Sequence, residues 1–230
     1  VAAIVDNRVR ELTYILEKDS TINSIDLSMK DGVRIYLRSL TFVFIRACKE
    51  LFPECNVSVE HSFGGGLYCE VHNTETLSPR VVSRIEEQMQ SIIDADEPFE
   101  KKDVPMAEAN QIFLEMGIED KVEIMKYRTE DTISIYNNGG MSDYLFGYMM
   151  PSAGYLRMFG LKFYLPGVIL QYPSFEKPNQ VRTFHDNPKL FKVFRQAEKW
   201  SDSLGIRNIA DLNRCIQEGR GPDLVRISEA

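Results

Sequence analysis

The sequence predicts an α+β fold in which an antiparallel sheet is backed by one long helix. Three observations carry this. Val33, Leu37, Leu40, Phe44, Ala47 and Leu51 recur every three or four residues, the period of one helix face. Phe42, Val43 and Ile45 widen that stripe, so the middle of the helix is covered on more than one side. Val57 and Val59, then Leu67, Cys69 and Val71, alternate with polar residues around Phe63-Gly64-Gly65-Gly66, a hairpin with a glycine-rich connection. Residues 132–175 then lose helical period and gain aromatics and glycines, which reads as several short strands packed on the hairpin.

In chain order, Ala2 to Val5, a turn at Asp6-Asn7, and Arg10 to Leu16 form an expected hairpin, with one more strand from Ile22 to Leu27. The chain opens directly on an apolar strand, the pattern expected of a segment cut from a longer protein. Ser28 and Asp31 have the spacing of a capping box at the start of the long helix, and Pro53 stops it. Ser78-Pro79 opens a second helix with Val82, Ile85, Met89 and Ile92 on one face, ended by Glu97-Pro98. Phe99 to Val104 reads as a strand. Pro105 opens a helix closed by Gly117, and Lys121 to Met125 is a short amphipathic piece. Asn138-Gly139 and Pro166-Gly167 are expected turns. Residues 176–187 read as a linker, followed by helices over 188–204 and 209–216 and a break at Gly219 to Gly221.

Composition bounds the function. The chain has 230 residues, a hydrophobic fraction of 43%, and 13 Phe and 10 Tyr, enough for a substantial core without staples. Four cysteines (Cys48, Cys55, Cys69, Cys215) show no C-x-x-C spacing, which fits free thiols in a cytoplasmic protein. No apolar run is long enough to cross a bilayer, and no membrane partner is expected. A net charge of −7 argues against a broad nucleic-acid footprint, although it leaves room for a local basic patch.

Several segments carry a resemblance. GVRIYLRSL, KELFPECNVSV, GGGLYCEV, VPMAEANQIFLEMGIEDKVEIMKY and AGYLRMFGLKFYLPGVILQYP look like the N-terminal part of bacterial uridine kinase-like (nucleoside kinase-like) proteins. Those proteins join a threonyl-tRNA-synthetase-like front half to a P-loop kinase domain. The resemblance implies that residues 1–27 are the remnant of a TGS-like β-grasp domain. It implies that residues 28–175 form the second additional domain, of the synthetase editing type (SAD-like). Residues 176–230 would lead, through a linker and helices, to a covalently linked kinase domain that uses ATP and magnesium. The chain itself has no G-x-x-x-x-G-K-[ST], so no cofactor is expected in it.

In the synthetase editing domain, a H-x-x-x-H pair on the long helix and a later C-x-x-x-H pair hold zinc or shape the deacylation site. By the surrounding match those positions fall here on Arg38 and Phe42, and on Asn137 and Met141. Arginine has no accessible lone pair and phenylalanine has none, so no metal is expected. The leading expectation is therefore a non-catalytic accessory or ligand-binding module of a nucleoside kinase. The alternatives are an aminoacyl-tRNA editing-type deacylase, or a regulatory module that binds a nucleotide or RNA.

Among the residues, Arg38 beside Phe42 could grip a carboxylate or phosphate in a cleft that also takes in Met141, or could pair internally or reach the surface along its stem; Asn137-Asn138-Gly139-Gly140 could form the opposite wall, or simply a type I′ turn. His61 with Gly64, Gly65 and Gly66 could form a ligand loop whose amides approach an anion, against the reading of a plain hairpin turn. His61, Cys69 and His72 do not converge, because strand alternation puts Cys69 and His72 on opposite faces. Tyr155, Arg157, Lys162, Tyr164 and Tyr172 could stack bases, against the reading of sheet core.

Overall fold

The 22-residue helix α1 (Lys30–Leu51) is buried on nearly every side, with Leu40, Phe42, Val43, Phe44 and Ala47 fully covered. Its start differs from the expected capping box. Met29 is the N-cap and makes no side-chain bond, while the Ser28 amide and hydroxyl both donate to Asp26 Oδ1, at 2.8 and 2.5 Å. The nearer carboxylate takes both donors, so Asp31 has no partner at the cap. Its end is as expected: Phe52 N donates to Cys48 O at 2.8 Å, and Pro53 cannot continue the ladder.

The computed structural model describes residues 1–115 and 119–228. Contacts divide the chain into two units, Val1–Lys102 with Ile135–Asp186, and Asp103–Ser134 with Asn187–Ala230. The α+β expectation holds, with antiparallel sheets and helices throughout.

In the first unit, strands β1 (Ala2–Val5), β2 (Arg8–Arg10) and β3 (Ile22–Ile25) form a small sheet in the order β2-β1-β3. The expected strand through residue 16 is shorter: Leu12, Tyr14, Ile15 and Leu16 are exposed and outside any strand, because nothing apolar covers them. Strands β4 (Asn56–Phe63) and β5 (Gly66–His72) form the hairpin. Its connection is the pair Gly64-Gly65, both at positive φ, the backbone of a tight hairpin turn. Helix α2 (Pro79–Ala95) opens as expected, with Ser78 Oγ accepting from Val81 N at 3.4 Å, and buries Val82, Ile85, Met89 and Ile92 in the same core as α1.

Strands β6 (Glu100–Pro105) and β7 (Thr132–Asn138) are where the chain passes from one unit to the other, and β8 (Met141–Asp143) returns along β7. The expected Asn138-Gly139 turn is displaced by one residue. Asn138 is a buried strand residue paired with Met141, and Gly139-Gly140 make the turn at positive φ. A short turn of 3₁₀ helix (Ala153–Tyr155) precedes β9 (Gly160–Tyr164) and β10 (Gly167–Gln171), which complete the main sheet in the order β4-β5-β10-β9. Residues 176–187 are not a free linker: Pro173 bridges Val181, and Gln171 Nε2 donates to Arg182 O at 2.9 Å, so this segment folds back along β10.

The second unit holds α3 (Met106–Glu115), α4 (Glu119–Met125), α5 (Pro188–Ser203), α6 (Ile209–Gln217) and α7 (Gly221–Ser228). The expected cap at Gly117 lies outside the described residues. Asn187 and Asn208 cap α5 and α6, accepting from Leu190 N and Asp211 N at 3.1 and 2.9 Å. The buried apolar residues of this unit include Val104, Ala109, Phe113, Met125, Ile133, Ala210 and Cys215, whereas α5 buries none of its residues. Among the described residues no helix is long and apolar enough to cross a membrane.

Two glycines on neighbouring strands test this packing. A Cβ on Gly167 would sit 2.1 Å from the Cys69 carbonyl oxygen, whereas one on Gly160 meets nothing nearer than 3.6 Å. Gly167→Ala should lower stability by about 1–3 kcal/mol as the strands are forced apart, and Gly160→Ala should stay within about 0.5 kcal/mol. Urea midpoints at constant slope measure both.

Candidate functional site

Arg38, Ser39 and Arg46 of α1 reach residues 138–150. One turn separates Arg38 from Phe42, so both leave the helix on one face, but their surroundings differ. Phe42 is 0% exposed and meets Phe99 edge-on at 5.6 Å, so it is core and no cleft wall. Arg38 is half-buried. Its Nη1 donates to the Tyr148 carbonyl at 2.5 Å, and its guanidinium lies against Gly147, where a Cβ would stand 2.7 Å from Nη2. Ser39, fully buried next to it, accepts from Met150 N at 2.8 Å and donates to Ile35 O at 3.0 Å. Arg38 and Ser39 together hold the 144–150 loop on the helix.

Asn137 and Met141 do not converge with them. Asn137 Nδ2 donates across its own hairpin to Ser142 Oγ at 2.9 Å, and Met141 packs half-buried on the core. Of the four expected cleft residues, Arg38 is the one that carries a charge. The set does not fit zinc: it has no imidazole, thiolate or carboxylate, and no group of three His, Cys, Asp or Glu able to hold a metal occurs among the described residues.

The structure adds residues that the sequence reading missed. The Arg46 side chain is 10% exposed and donates from Nε to Glu50 at 2.7 Å and from Nη1 to Glu97 at 2.5 Å and Asn138 Oδ1 at 2.7 Å. Gly139 covers its face; a Cβ there would be 2.0 Å from Cζ. Asn138 closes the network by donating to the carbonyls of Glu97 and Pro98, at 3.0 and 3.1 Å. The one signal in the sequence was Arg46 in an apolar stripe with Glu50 four residues on. Tyr136, also missed, is 2% exposed and donates its hydroxyl to Glu11; burial and then Glu11 hold the phenol protonated far above its usual range.

The two arginines are therefore in opposite electrostatic situations. Burial pulls the Arg38 pKa down, Tyr136 opposes this, and Arg34 one turn earlier adds to it. Burial also acts on Arg46, but the bonds to Glu50 and Glu97 outweigh it and its pKa rises.

The glycine loop is covered by its own chain. Gly64 O accepts from His185 N at 2.8 Å, and Phe184 lies where a Gly64 Cβ would be, 2.4 Å away. Gly65 faces the Thr183 carbonyl, and Gly66 packs under Ile169 and Leu170. His61 stacks at 5.4 Å on Tyr68, whose hydroxyl donates to the buried Glu70 at 2.6 Å. Cys69 is buried and His72 half-exposed, on opposite faces as expected. The aromatic candidates scatter: Tyr164 donates to Asp186, Lys162 lies over Phe184, Arg157 holds the Gly154 carbonyl, and Tyr172 is buried beneath Arg182. Tyr155 is exposed.

No protein-family model matches the chain. A threonine–tRNA ligase of Symbiobacterium thermophilum is 31% identical over 162 residues, 70% of this chain and 25% of that protein. Those of Nitratidesulfovibrio vulgaris and Hahella chejuensis are 33% identical over 142 residues and 29% over 162, covering 62% and 70% of this chain. The chain is similar to threonine–tRNA ligases. This overturns the expected identity as a nucleoside kinase module, and with it the expected kinase domain as covalent partner. The chain spans about a quarter of the length of these relatives.

Replacing each arginine reads the difference between them. Arg46→Met strands Glu97 and Asn138 and should cost about 2–3 kcal/mol, the range for hydrogen bonds to a charged group. Arg38→Met removes one bond to a carbonyl together with an uncompensated charge, and should cost under about 1.5 kcal/mol. Equal losses of stability on chemical denaturation would contradict the contrast.

Proposed function

We propose that this chain is an editing-type domain of a threonine–tRNA-ligase-like protein that binds the acceptor end of tRNA without hydrolysing the aminoacyl ester. The similarity to threonine–tRNA ligases supports the tRNA half of this reading. The chemistry around Arg38 supports the other half. Ester hydrolysis needs a water activated by a general base or a metal. Here Arg38 and Arg46 only donate, Tyr136 is kept protonated by burial and Glu11, and Cys48 and Cys69 are buried with their thiol pKa values pushed up. His61 and His72 belong to the β4–β5 hairpin.

The observation that carries the reading is Arg38 itself, a cation in the place where the resemblance expects a metal-binding histidine. The net charge of −7 requires any RNA contact to be local, through one or two phosphates.

The test pairs two assays on the whole chain. An RNA minihelix ending in CCA should bind with a log–log salt slope shallower than about −2, the value for about two phosphates. Seryl-tRNA specific for threonine should deacylate no faster than in buffer. Absence of minihelix binding would overturn the tRNA half, and accelerated deacylation the non-hydrolytic half.

A further inference from the structure

We propose that Arg38 anchors a phosphate-binding site at the loop Tyr144–Met150, with Lys101 as its second cation. The proposal rests on the tRNA reading for its natural ligand, a nucleic-acid phosphate, but its geometry stands apart from that reading.

Arg38 carries an unbalanced charge. Half-buried guanidinium groups are normally matched by a carboxylate, since the cost of leaving water is otherwise uncompensated. Arg46, eight residues along the same helix, has two. Arg38 has no carboxylate within 4 Å among the described residues, and its protein partner is the neutral carbonyl of Tyr148. Glu11 accepts from the hydroxyl of Tyr136, the phenol that acts on Arg38. Arg34, one turn earlier, is occupied by Asp31 at 3.1 Å, and its charge reinforces the positive potential at Arg38.

A guanidinium presents five N–H donors in one plane. Nη1 is used on Tyr148, and Gly147 covers a face, where a side chain would collide with Nη2 at 2.7 Å. Glycine there, with no Cβ, lets the loop lie flat on the guanidinium. Gly147 and the adjoining Phe146 are exposed, so solvent reaches the loop from outside. Two oxygens of one oxyanion match the Nε and Nη2 donors in the bidentate arrangement that arginine favours.

Lys101 Nζ lies 5.5 Å from the centre of the Tyr148 ring, the residue whose carbonyl Arg38 holds. Two cations converge on one loop residue, and a pair of cations matches a doubly charged anion better than a single carboxylate charge.

The experiment is an NMR titration of the whole chain at low chloride, with inorganic phosphate, AMP and threonine as separate arms. Phosphate and AMP should give saturable shifts at the Gly147 and Tyr148 amides and the Arg38 side chain, and threonine none. Arg38→Lys keeps a charge and a donor for the Tyr148 carbonyl but loses the fork, and should weaken phosphate at least tenfold. Lys101→Met should weaken it about threefold. No saturable shift, an Arg38→Lys affinity equal to wild type, or shifts with threonine alone would overturn the proposal. If the CCA minihelix binds while phosphate does not, this site fails and the functional reading stands. If phosphate binds and the minihelix does not, the reverse holds.

Discussion

Helix α1 is covered over almost its whole circumference, and each polar group it carries into that covered zone demands a partner. Those demands place the loops. Tyr36, 1% exposed, donates to Met158 O and accepts from Met158 N, both at 2.9 Å, which seats the segment before β9. Ser39 accepts from Met150 N and Arg38 donates to Tyr148 O, which seats the loop after β8. Arg46 reaches Glu97 and Asn138 and so ties the end of α2 to the end of β7. An unpaired buried donor or acceptor costs about 1–3 kcal/mol, so four such anchors outweigh the weak local preferences of glycine-rich connections. The candidate site is a by-product of this anchoring: one of the anchors is an arginine whose charge is not neutralised by the fold.

How far the sequence could be read follows from how local each determinant is. The apolar stripe of α1, the Ser78-Pro79 start of α2 and the alternation of β4 and β5 are properties of neighbouring residues, and they are where the reading placed them. The Ser28 cap was misplaced because two short-range carboxylates competed, and spacing alone could not say that Asp26 would take both donors. The strand expected through Leu16 stopped at Arg10 because period-2 alternation shows which residues could line a face, not whether anything lies beneath them. Residues 176–187 looked like a linker from their composition, yet a bridge from Pro173 to Val181 folds them onto the sheet.

The site was legible in part for the same reason. Arg38 could be singled out from its position among apolar residues. Arg46 was equally visible beside Glu50, but its other partners stand 51 and 92 residues away, and nothing local marks Asn138 rather than Asn137 as the one that turns inward. That choice is settled by the register of β7 against β8, where Asn138 opposes Met141 and is 1% exposed. A shift of one residue in the turn exchanges the two asparagines between the core and the surface.

The residue types at positions 38 and 42 decide the kind of ligand this face of α1 can take. Two histidines one turn apart offer neutral lone pairs, and so favour a cation. An arginine offers only donors and a permanent charge, and so favours an anion. Phe42 is fully buried and meets Phe99 edge-on. Half-burial has two opposite effects on Arg38. It lowers the local dielectric and strengthens any ion pair Arg38 can form, and it also raises the cost of leaving the charge unpaired. A carboxylate from within the chain would have resolved that tension as it does at Arg46. Among the described residues none lies within 4 Å of Arg38, whose partner is the neutral Tyr148 carbonyl, so the proposed counterion is one that comes from outside the fold.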